Sequence, residues 1–217
     1  MQSQHSISFI SADATTLLEG RWVDPAAPGG PVAVLAHHFP PMSNMDQRAI
    51  FATYKVLRER GWGILRYNSR GVGHSAGTFS GGAGEDSDLQ GAVAEARRRA
   101  PDSPLTLIGW SFGAERVLRQ MRHDPAIAAT VAVTPKPEAI GANATGRHGP
   151  LLVLVAERDQ FFDLIETRTA FEQASEPKTW LLLKWADHFY VTREDEVART
   201  TVEWLDQQIG ARGQGWG

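Results

Sequence analysis

The 217-residue sequence contains no cysteine. This absence excludes disulfide bonds, zinc sites built on thiolates and cysteine nucleophiles. No apolar stretch is long enough to span a bilayer, and residues 1–5 lack the basic and apolar segments that begin a signal peptide. We therefore expect a cytoplasmic protein with no membrane partner.

Strong charge of one sign is also absent. The formal net charge is −3, and no basic run exceeds Arg97-Arg98-Arg99, which fits the solvated end of a helix. This distribution predicts no nucleic-acid partner. His37 and His38 are adjacent, but no histidine or carboxylate stands near them at ligand spacing, so we expect neither a metal site nor a cofactor.

Short apolar runs alternate along the chain with segments of helical periodicity. The runs predict strands at residues 7–10, 17–23, 32–36, 63–67, 105–108, 129–134, 151–156 and 179–184. Such alternation predicts an α/β fold, with a mostly parallel sheet of about eight strands and helices on both faces. The first two strands suit an antiparallel hairpin at one edge. We expect a single domain over residues 1–217, with 210–217 as a disordered tail.

Two further segments carry local signals. Ser43-x-x-Asp46 resembles a capping box and predicts a helix from residue 43 to about residue 60. Residues 135–149 are rich in proline, glycine and asparagine, which predicts a loop. This loop is too short to form a separate helical lid.

The most informative motif is Gly109-Trp110-Ser111-Phe112-Gly113. It follows the apolar run 105–108 and precedes apolar residues at helical spacing, the strand–turn–helix context of a nucleophile elbow. A sharp turn there lifts the Ser111 hydroxyl above the sheet. Gly109 and Gly113 are expected to be glycines because strand and helix crowd each other at that corner.

A serine hydroxyl needs a base to take its proton and an acid to orient the base. In a parallel sheet these groups are expected beyond the carboxyl ends of strands. Asp159 follows the predicted strand 151–156, and His188 follows 179–184. We therefore predict Ser111 as nucleophile, His188 as base and Asp159 as acid. Asp163 and Asp187 are alternative acids, although Asp187 adjoins His188 and can hardly face its ring edge.

Several segments together resemble the α/β-hydrolase superfamily, and in particular its small, lidless bacterial branch of largely uncharacterised hydrolases. The resemblance spans about residues 31–209. Two positions depart from it: the usual H-P-H-P carries His38 and Phe39 in its middle, and Ala156 replaces the usual glycine before the acid. The segments that carry it are His37-His38-Phe39-Pro40, residues 66–75, Gly84-Glu85, residues 109–113 and Ala186-Asp187-His188-Phe189.

The resemblance implies an oxyanion hole made of backbone N–H groups. Phe112, which follows the nucleophile, supplies one by the geometry of the elbow. The loop after residues 32–36 supplies the other; its prolines have no N–H, so Phe39 is the first choice and His38 the second. Trp110, His38 and Phe189 flank these positions and are predicted to bind substrate.

These features predict a serine hydrolase that cleaves small carboxylic esters or thioesters through an acyl-enzyme, with a small-molecule ester as its partner. Two alternatives stay open. The fold could serve a non-hydrolytic binding module, since fold does not fix function. It could also serve a cofactor-independent lyase or haloperoxidase, which the sequence does not separate from an esterase.

Overall fold

The computed structural model describes residues 2–213, with side chains through residue 210. Within this range eight strands form a single sheet in the order β1-β2-β4-β3-β5-β6-β7-β8. β1 pairs antiparallel with β2, as predicted, β2 also pairs antiparallel with β4, and the remaining pairs are parallel. The strands are β1 Gln4–Ile10, β2 Leu17–Val23, β3 Val32–Ala36, β4 Gly63–Tyr67, β5 Leu105–Trp110, β6 Ile127–Val133, β7 Leu151–Ala156 and β8 Lys178–Leu183.

Six α-helices in the described residues cover the sheet. α1 and α6 pack on one face, whereas α2, α3, α4 and α5 pack on the other. The helices are α1 Arg48–Glu59, α2 Ala83–Arg99, α3 Phe112–His123, α4 Pro137–Asn143, α5 Leu164–Glu172 and α6 Glu194–Gly213. This is the predicted three-layer α/β arrangement.

The central strands are apolar throughout because both faces of the sheet are covered. In β3, Ala33 and Leu35 join the core beneath α1 and α6. Val32 and Val34 point the other way, into the core beneath α2 and α3. All five residues of β3 are buried, so this strand reads as one continuous apolar run.

The chain reverses its direction of winding at β3, which lies between β4 and β5. After β3 the chain passes to β4 on one side and then crosses to β5 on the other. Ala36, the last residue of β3, pairs with Gly109, the last but one residue of β5. The loops that follow these two strands therefore leave the sheet side by side, at the position where open α/β sheets form a crevice.

The predicted capping box at Ser43 is wrong. The helix begins at Arg48, and the side chain of Gln47 accepts hydrogen bonds from the first-turn amides. Residues 43–46 instead form a loop, because the Asn44 side chain accepts from the Asp46 N–H at 2.8 Å and turns the chain there.

Two other segments differ from the sequence prediction. The predicted loop 135–149 contains a short helix, α4, whose fixed-φ proline stands at its first position. The predicted tail 210–217 overlaps α6, which continues to Gly213, and residues 214–217 lie outside the described residues.

Candidate active site

Ser111 lies at the corner between β5 and α3. Its backbone has φ 51° and ψ −112°, a conformation that residues other than glycine rarely adopt. The Ser111 N–H donates to the Val133 carbonyl at 2.8 Å, which ties the corner to β6. The turn therefore holds the serine in a strained conformation at the end of the sheet, as the elbow motif predicts.

The two glycines of the motif are required by close backbone approach. A Cβ at Gly109 would lie 2.3 Å from the Gly113 carbonyl oxygen. A Cβ at Gly113 would lie 2.4 Å from the carbonyl oxygen of Ala36, the last residue of β3. Both distances are shorter than any real contact, which confirms the predicted crowding of strand and helix.

Ser111, His188 and Asp159 form one hydrogen-bonded chain. Ser111 Oγ lies 3.0 Å from His188 Nε2, and His188 Nδ1 lies 2.8 Å from Asp159 Oδ2. An ionised carboxylate only accepts hydrogen bonds, so Nδ1 carries the proton. Nε2 is then free to accept the hydrogen bond of the serine hydroxyl.

The loop that follows β7 fixes the carboxylate of this chain. Asp159 Oδ1 accepts from the N–H groups of Phe161 and Phe162, at 2.8 and 3.1 Å. The neighbouring Gln160 accepts from the backbone N–H of His188 at 3.0 Å. The loops after β7 and β8 are thereby joined through both backbone and side chain, and the side chains of Asp159 and His188 are buried.

The alternative acids have other contacts. Asp163 caps α5 by accepting from the N–H groups of Ile165 and Glu166, each at 2.9 Å. Asp187 closes its own turn by accepting from Phe189 and Val191. Neither contacts the His188 ring by hydrogen bonding, so the structure places Asp159 alone of the three beside it.

One predicted oxyanion donor lies at the start of α3, and the other lies in the loop after β3. Phe112 is the first residue of α3, so its N–H has no acceptor in a preceding helical turn. His37 holds the loop after β3: its Nδ1 donates to the His38 carbonyl at 2.8 Å, and its Nε2 accepts from the Ser69 N–H at 3.0 Å. In a trans peptide the N–H points opposite the carbonyl, so this bond fixes the direction of the Phe39 amide.

An apolar cleft of about 680 Å³ opens above Ser111. Two groups of aromatic rings line it. One consists of Phe39, Phe79 and Phe112, with ring centroids 5.0–6.0 Å apart. The other surrounds His188 and consists of Phe161, Phe162 and Phe189, with centroids 4.8–5.3 Å from the imidazole.

Phe79, which lies in the glycine-containing loop between β4 and α2, was not predicted as a site residue. Its only sequence signal is an aromatic residue in a loop that leaves the carboxyl end of a strand.

A second, more polar depression of about 600 Å³ lies between α3, α4 and α5 and adjoins the cleft. Lys136 and Glu115 form an ion pair at 3.3 Å where the two meet.

Trp110 does not line the cleft, contrary to its predicted role in substrate binding. The strand β5 continues to Trp110 rather than ending at residue 108, and the alternation of side chains turns the indole inward. Trp110 is fully buried in the core beneath α1 and α6. Phe189 and His38, the other two residues predicted to bind substrate, do line the cleft.

His38 lies between the core and the cleft. Its ring stacks on Trp110 and lies edge-on to His188, each at a centroid distance of 6.4 Å. Burial, and to a smaller extent repulsion by the charged forms of His188 and His37, lowers the pKa of His38 to about 3. The imidazole is therefore neutral at physiological pH.

No cluster of three or more histidine, cysteine or acidic side chains that could hold a metal ion occurs in the part of the chain that the structure describes. Across the same residues, no helix combines the length and apolar character needed to cross a membrane.

The strand order, the elbow after β5 and the positions of Asp159 and His188 after β7 and β8 define the α/β-hydrolase fold. Between β6 and β7, where only the short α4 is inserted, the described chain carries no lid domain. The predicted α/β-hydrolase fold without a lid domain is thus confirmed for the described residues.

Comparison with known proteins agrees with this fold. No family model matches the chain. An uncharacterized protein of Rickettsia prowazekii (strain Madrid E) is 26% identical over 199 residues, which cover 87% of this chain and 84% of that protein.

Solved structures align over nearly the whole chain. A protein of unknown function from Agrobacterium tumefaciens, proposed to be an α/β hydrolase, has a TM-score of 0.87 at 24% identity and covers 95% of this chain and 97% of its own. An esterase from Pyrococcus furiosus has a TM-score of 0.82 at 19% identity, covering 95% and 93%. A lidless α/β serine hydrolase from Xanthomonas campestris has a TM-score of 0.79 at 21% identity, covering 96% and 94%.

Proposed function

We propose that this protein is a serine hydrolase that cleaves small carboxylic esters or thioesters through an acyl-enzyme. The observation that carries the proposal is the hydrogen-bonded chain from Ser111 through His188 to Asp159, at the end of a strained elbow and open to an apolar cleft. Similarity in fold to an esterase and to a serine hydrolase supports it.

The first half-reaction forms the acyl-enzyme. Ser111 Oγ attacks the carbonyl carbon of the ester while His188 Nε2 takes the hydroxyl proton. Asp159 stabilises the resulting imidazolium through its bond to Nδ1. As the tetrahedral intermediate collapses, His188 returns the proton to the leaving alcohol oxygen and the carbon–oxygen bond breaks. The alcohol departs, and the acyl group stays on Ser111.

The second half-reaction releases the acid. Water attacks the acyl carbonyl, and His188 now takes a proton from that water. Collapse of the second tetrahedral intermediate breaks the bond to Ser111 Oγ, which recovers its proton from His188. In both halves the negative charge on the carbonyl oxygen is stabilised by the N–H groups of Phe112 and Phe39.

The mechanism requires His188 Nε2 to carry no proton at the start, so that it can accept the proton of Ser111. Its tautomer is set by Asp159, and the position of Asp159 is set by the Phe161 and Phe162 amides. The aromatic rings around His188 exclude water from the ring faces, which strengthens the electrostatic interactions among these groups. A thioester differs only in its leaving group and uses the same residues.

Covalent labelling by a fluorophosphonate tests the proposal, with Ser111→Ala as the matched control. We expect wild-type protein to gain the mass of one phosphonyl group on Ser111 and to hydrolyse p-nitrophenyl acetate. The Ser111→Ala variant should take up no label and lose turnover by ~10³-fold or more, because only oxyanion binding remains. Absence of labelling in folded wild-type protein would favour the non-hydrolytic binding module.

A further inference from the structure

His37 and His38 are adjacent in sequence but differ in how their ring nitrogens are bonded. Both nitrogens of His37 have hydrogen-bond partners, the His38 carbonyl and the Ser69 N–H. Neither nitrogen of His38 has a partner among the described residues, although both atoms are buried. The hydrogen bonds of His37 therefore explain why an imidazole stands at that position. The protein contacts of His38 do not explain its imidazole.

The surroundings of His38 are apolar or aromatic on the protein side. Its ring contacts Trp110 and Phe189, at centroid distances of 6.4 and 6.1 Å, and only 4% of the residue is exposed. A phenyl ring would fill this position without leaving buried polar atoms unpaired. Keeping an imidazole there costs stability, because a buried donor and acceptor without partners lose their hydrogen bonds to water.

The remaining side of His38 lines the cleft above Ser111. The ring lies edge-on to His188, the residue that passes a proton to the leaving oxygen in the proposed reaction. A polar group beside the scissile ester would therefore face this side of the His38 ring. A neutral imidazole offers one donor and one acceptor, which suits a hydroxyl group better than an anion or a cation.

We infer that His38 is a specificity-determining residue, and that the preferred substrates are esters with a hydroxyl group near the scissile bond that hydrogen-bonds to the His38 imidazole. This inference rests on the proposed serine hydrolase function. Its physical basis is that a site with a buried polar group rejects an analogue that leaves the group unpaired. The hydroxyl belongs to the alcohol or to the acyl part, and the experiment distinguishes the two.

The test uses two pairs of esters matched in size. The alcohol pair is 2-hydroxyethyl butanoate and propyl butanoate; the acyl pair is ethyl 3-hydroxybutanoate and ethyl 3-methylbutanoate. We expect wild-type protein to favour the hydroxylated member of at least one pair by about tenfold or more in kcat/KM. The pair that is discriminated identifies the side of the ester that faces His38.

Three variants locate the cause of the preference. His38→Phe should remove it and raise the melting temperature by a few degrees, because it replaces unpaired buried nitrogens with carbon. His38→Gln, which keeps a donor and an acceptor, should retain part of it. His74→Phe is the matched control: the His74 side chain is 93% exposed and lies outside the cleft, so the wild-type preference should persist.

Two outcomes overturn the inference: equal kcat/KM within both pairs for wild-type protein, or a preference that survives His38→Phe. A lower melting temperature in His38→Phe with unchanged preference would assign His38 a structural role instead. Labelling of wild-type protein by a fluorophosphonate keeps the two proposals apart. Labelled protein that does not discriminate either pair contradicts only the role of His38, whereas unlabelled protein contradicts the hydrolase function itself.

Discussion

The Ser69 N–H donates to His37 Nε2 at 3.0 Å, and this bond determines which nitrogen of His37 carries its proton. Nδ1 must then be the donor to the His38 carbonyl. The loop after β4, which contains Ser69, thus sets the conformation of the loop after β3, which carries the predicted oxyanion donor Phe39. Burial lowers the pKa of His37 to about 4 and keeps this arrangement neutral.

The acid assignment leads to a prediction about Asp159→Asn. An amide at this position can present N–H instead of oxygen to Nδ1, which selects the tautomer of His188 that cannot accept from Ser111. We expect kcat for p-nitrophenyl acetate to fall by about 10²–10⁴-fold with a smaller change in KM. Asp163→Asn and Asp187→Asn are matched controls, because asparagine keeps the oxygen that accepts their backbone hydrogen bonds. A large loss in either control but not in Asp159→Asn would contradict the assignment.

The absence of a lid in the described chain leads to a prediction about acyl length. α4 has only 7 residues and the cleft is open, so a long acyl chain stays partly in water. Each CH₂ that is not buried forgoes about 0.8 kcal/mol of binding. We expect kcat/KM of p-nitrophenyl esters to be highest for acetyl to butanoyl groups and lower for palmitoyl. Efficiency that rises through decanoyl, measured below the micelle concentration, would indicate a lipase-like groove.

His37 and His38, two of the buried histidines, make stability depend on pH. The pKa of each is lowered in the folded state, to about 4 for His37 and about 3 for His38, from 6.5. The unfolded chain therefore binds protons first as pH falls below 6.5, and folding stability is lost with acidity. The expected slope is about 1.4 kcal/mol per pH unit for each histidine once its unfolded form is protonated.

Urea denaturation between pH 7 and pH 5 measures this slope. His38→Gln removes one of these two groups. It should therefore remove about half of the slope that His37 and His38 contribute together. An unfolding free energy that is constant from pH 6.5 to pH 5 would contradict the buried, neutral state of both rings.

Two glycine-to-alanine changes, one at the crowded elbow and one in α4, should have opposite effects on stability. At Gly113 the new methyl group would meet the Ala36 carbonyl oxygen at 2.4 Å, so Gly113→Ala should lower stability by about 1–3 kcal/mol or more. At Gly141, within α4, a Cβ meets no atom within 4 Å, so Gly141→Ala should raise stability by about 0.5–1 kcal/mol. Thermal denaturation compares them, and equal melting temperatures would refute the close approach of α3 to β3.

The sheet could be predicted from the sequence because burial on both faces makes each parallel strand a continuous apolar run. β7, for example, is apolar over all six residues and was predicted with its observed bounds, 151–156. Helix starts were harder to predict. Gln47 caps α1 although glutamine is not among the usual capping residues, and the better-looking signal at Ser43 falls in a loop.

Within the candidate site, chain order and strand ends were enough to place Ser111, Asp159 and His188 close together in the prediction. They were not enough to predict the direction of the side chain at the last residue of a strand. Trp110 precedes Ser111 and was predicted to face substrate, but the strand continues two residues beyond its predicted end and the indole lies in the core. The position of Phe79 in the cleft was not predicted, because neither periodicity nor spacing indicates where a long loop folds back onto a cleft.

Phe161 combines two separable contributions. Its backbone N–H holds the Asp159 carboxylate, whereas its side chain, 61% exposed, forms part of the cleft wall. Any residue except proline supplies the same N–H. The wall at this position can therefore be reshaped by substitution, for example to admit a bulkier acyl group, while the hydrogen bond that holds the acid is retained. Phe161 is thus a suitable first position for redesigning selectivity without rebuilding the chemistry.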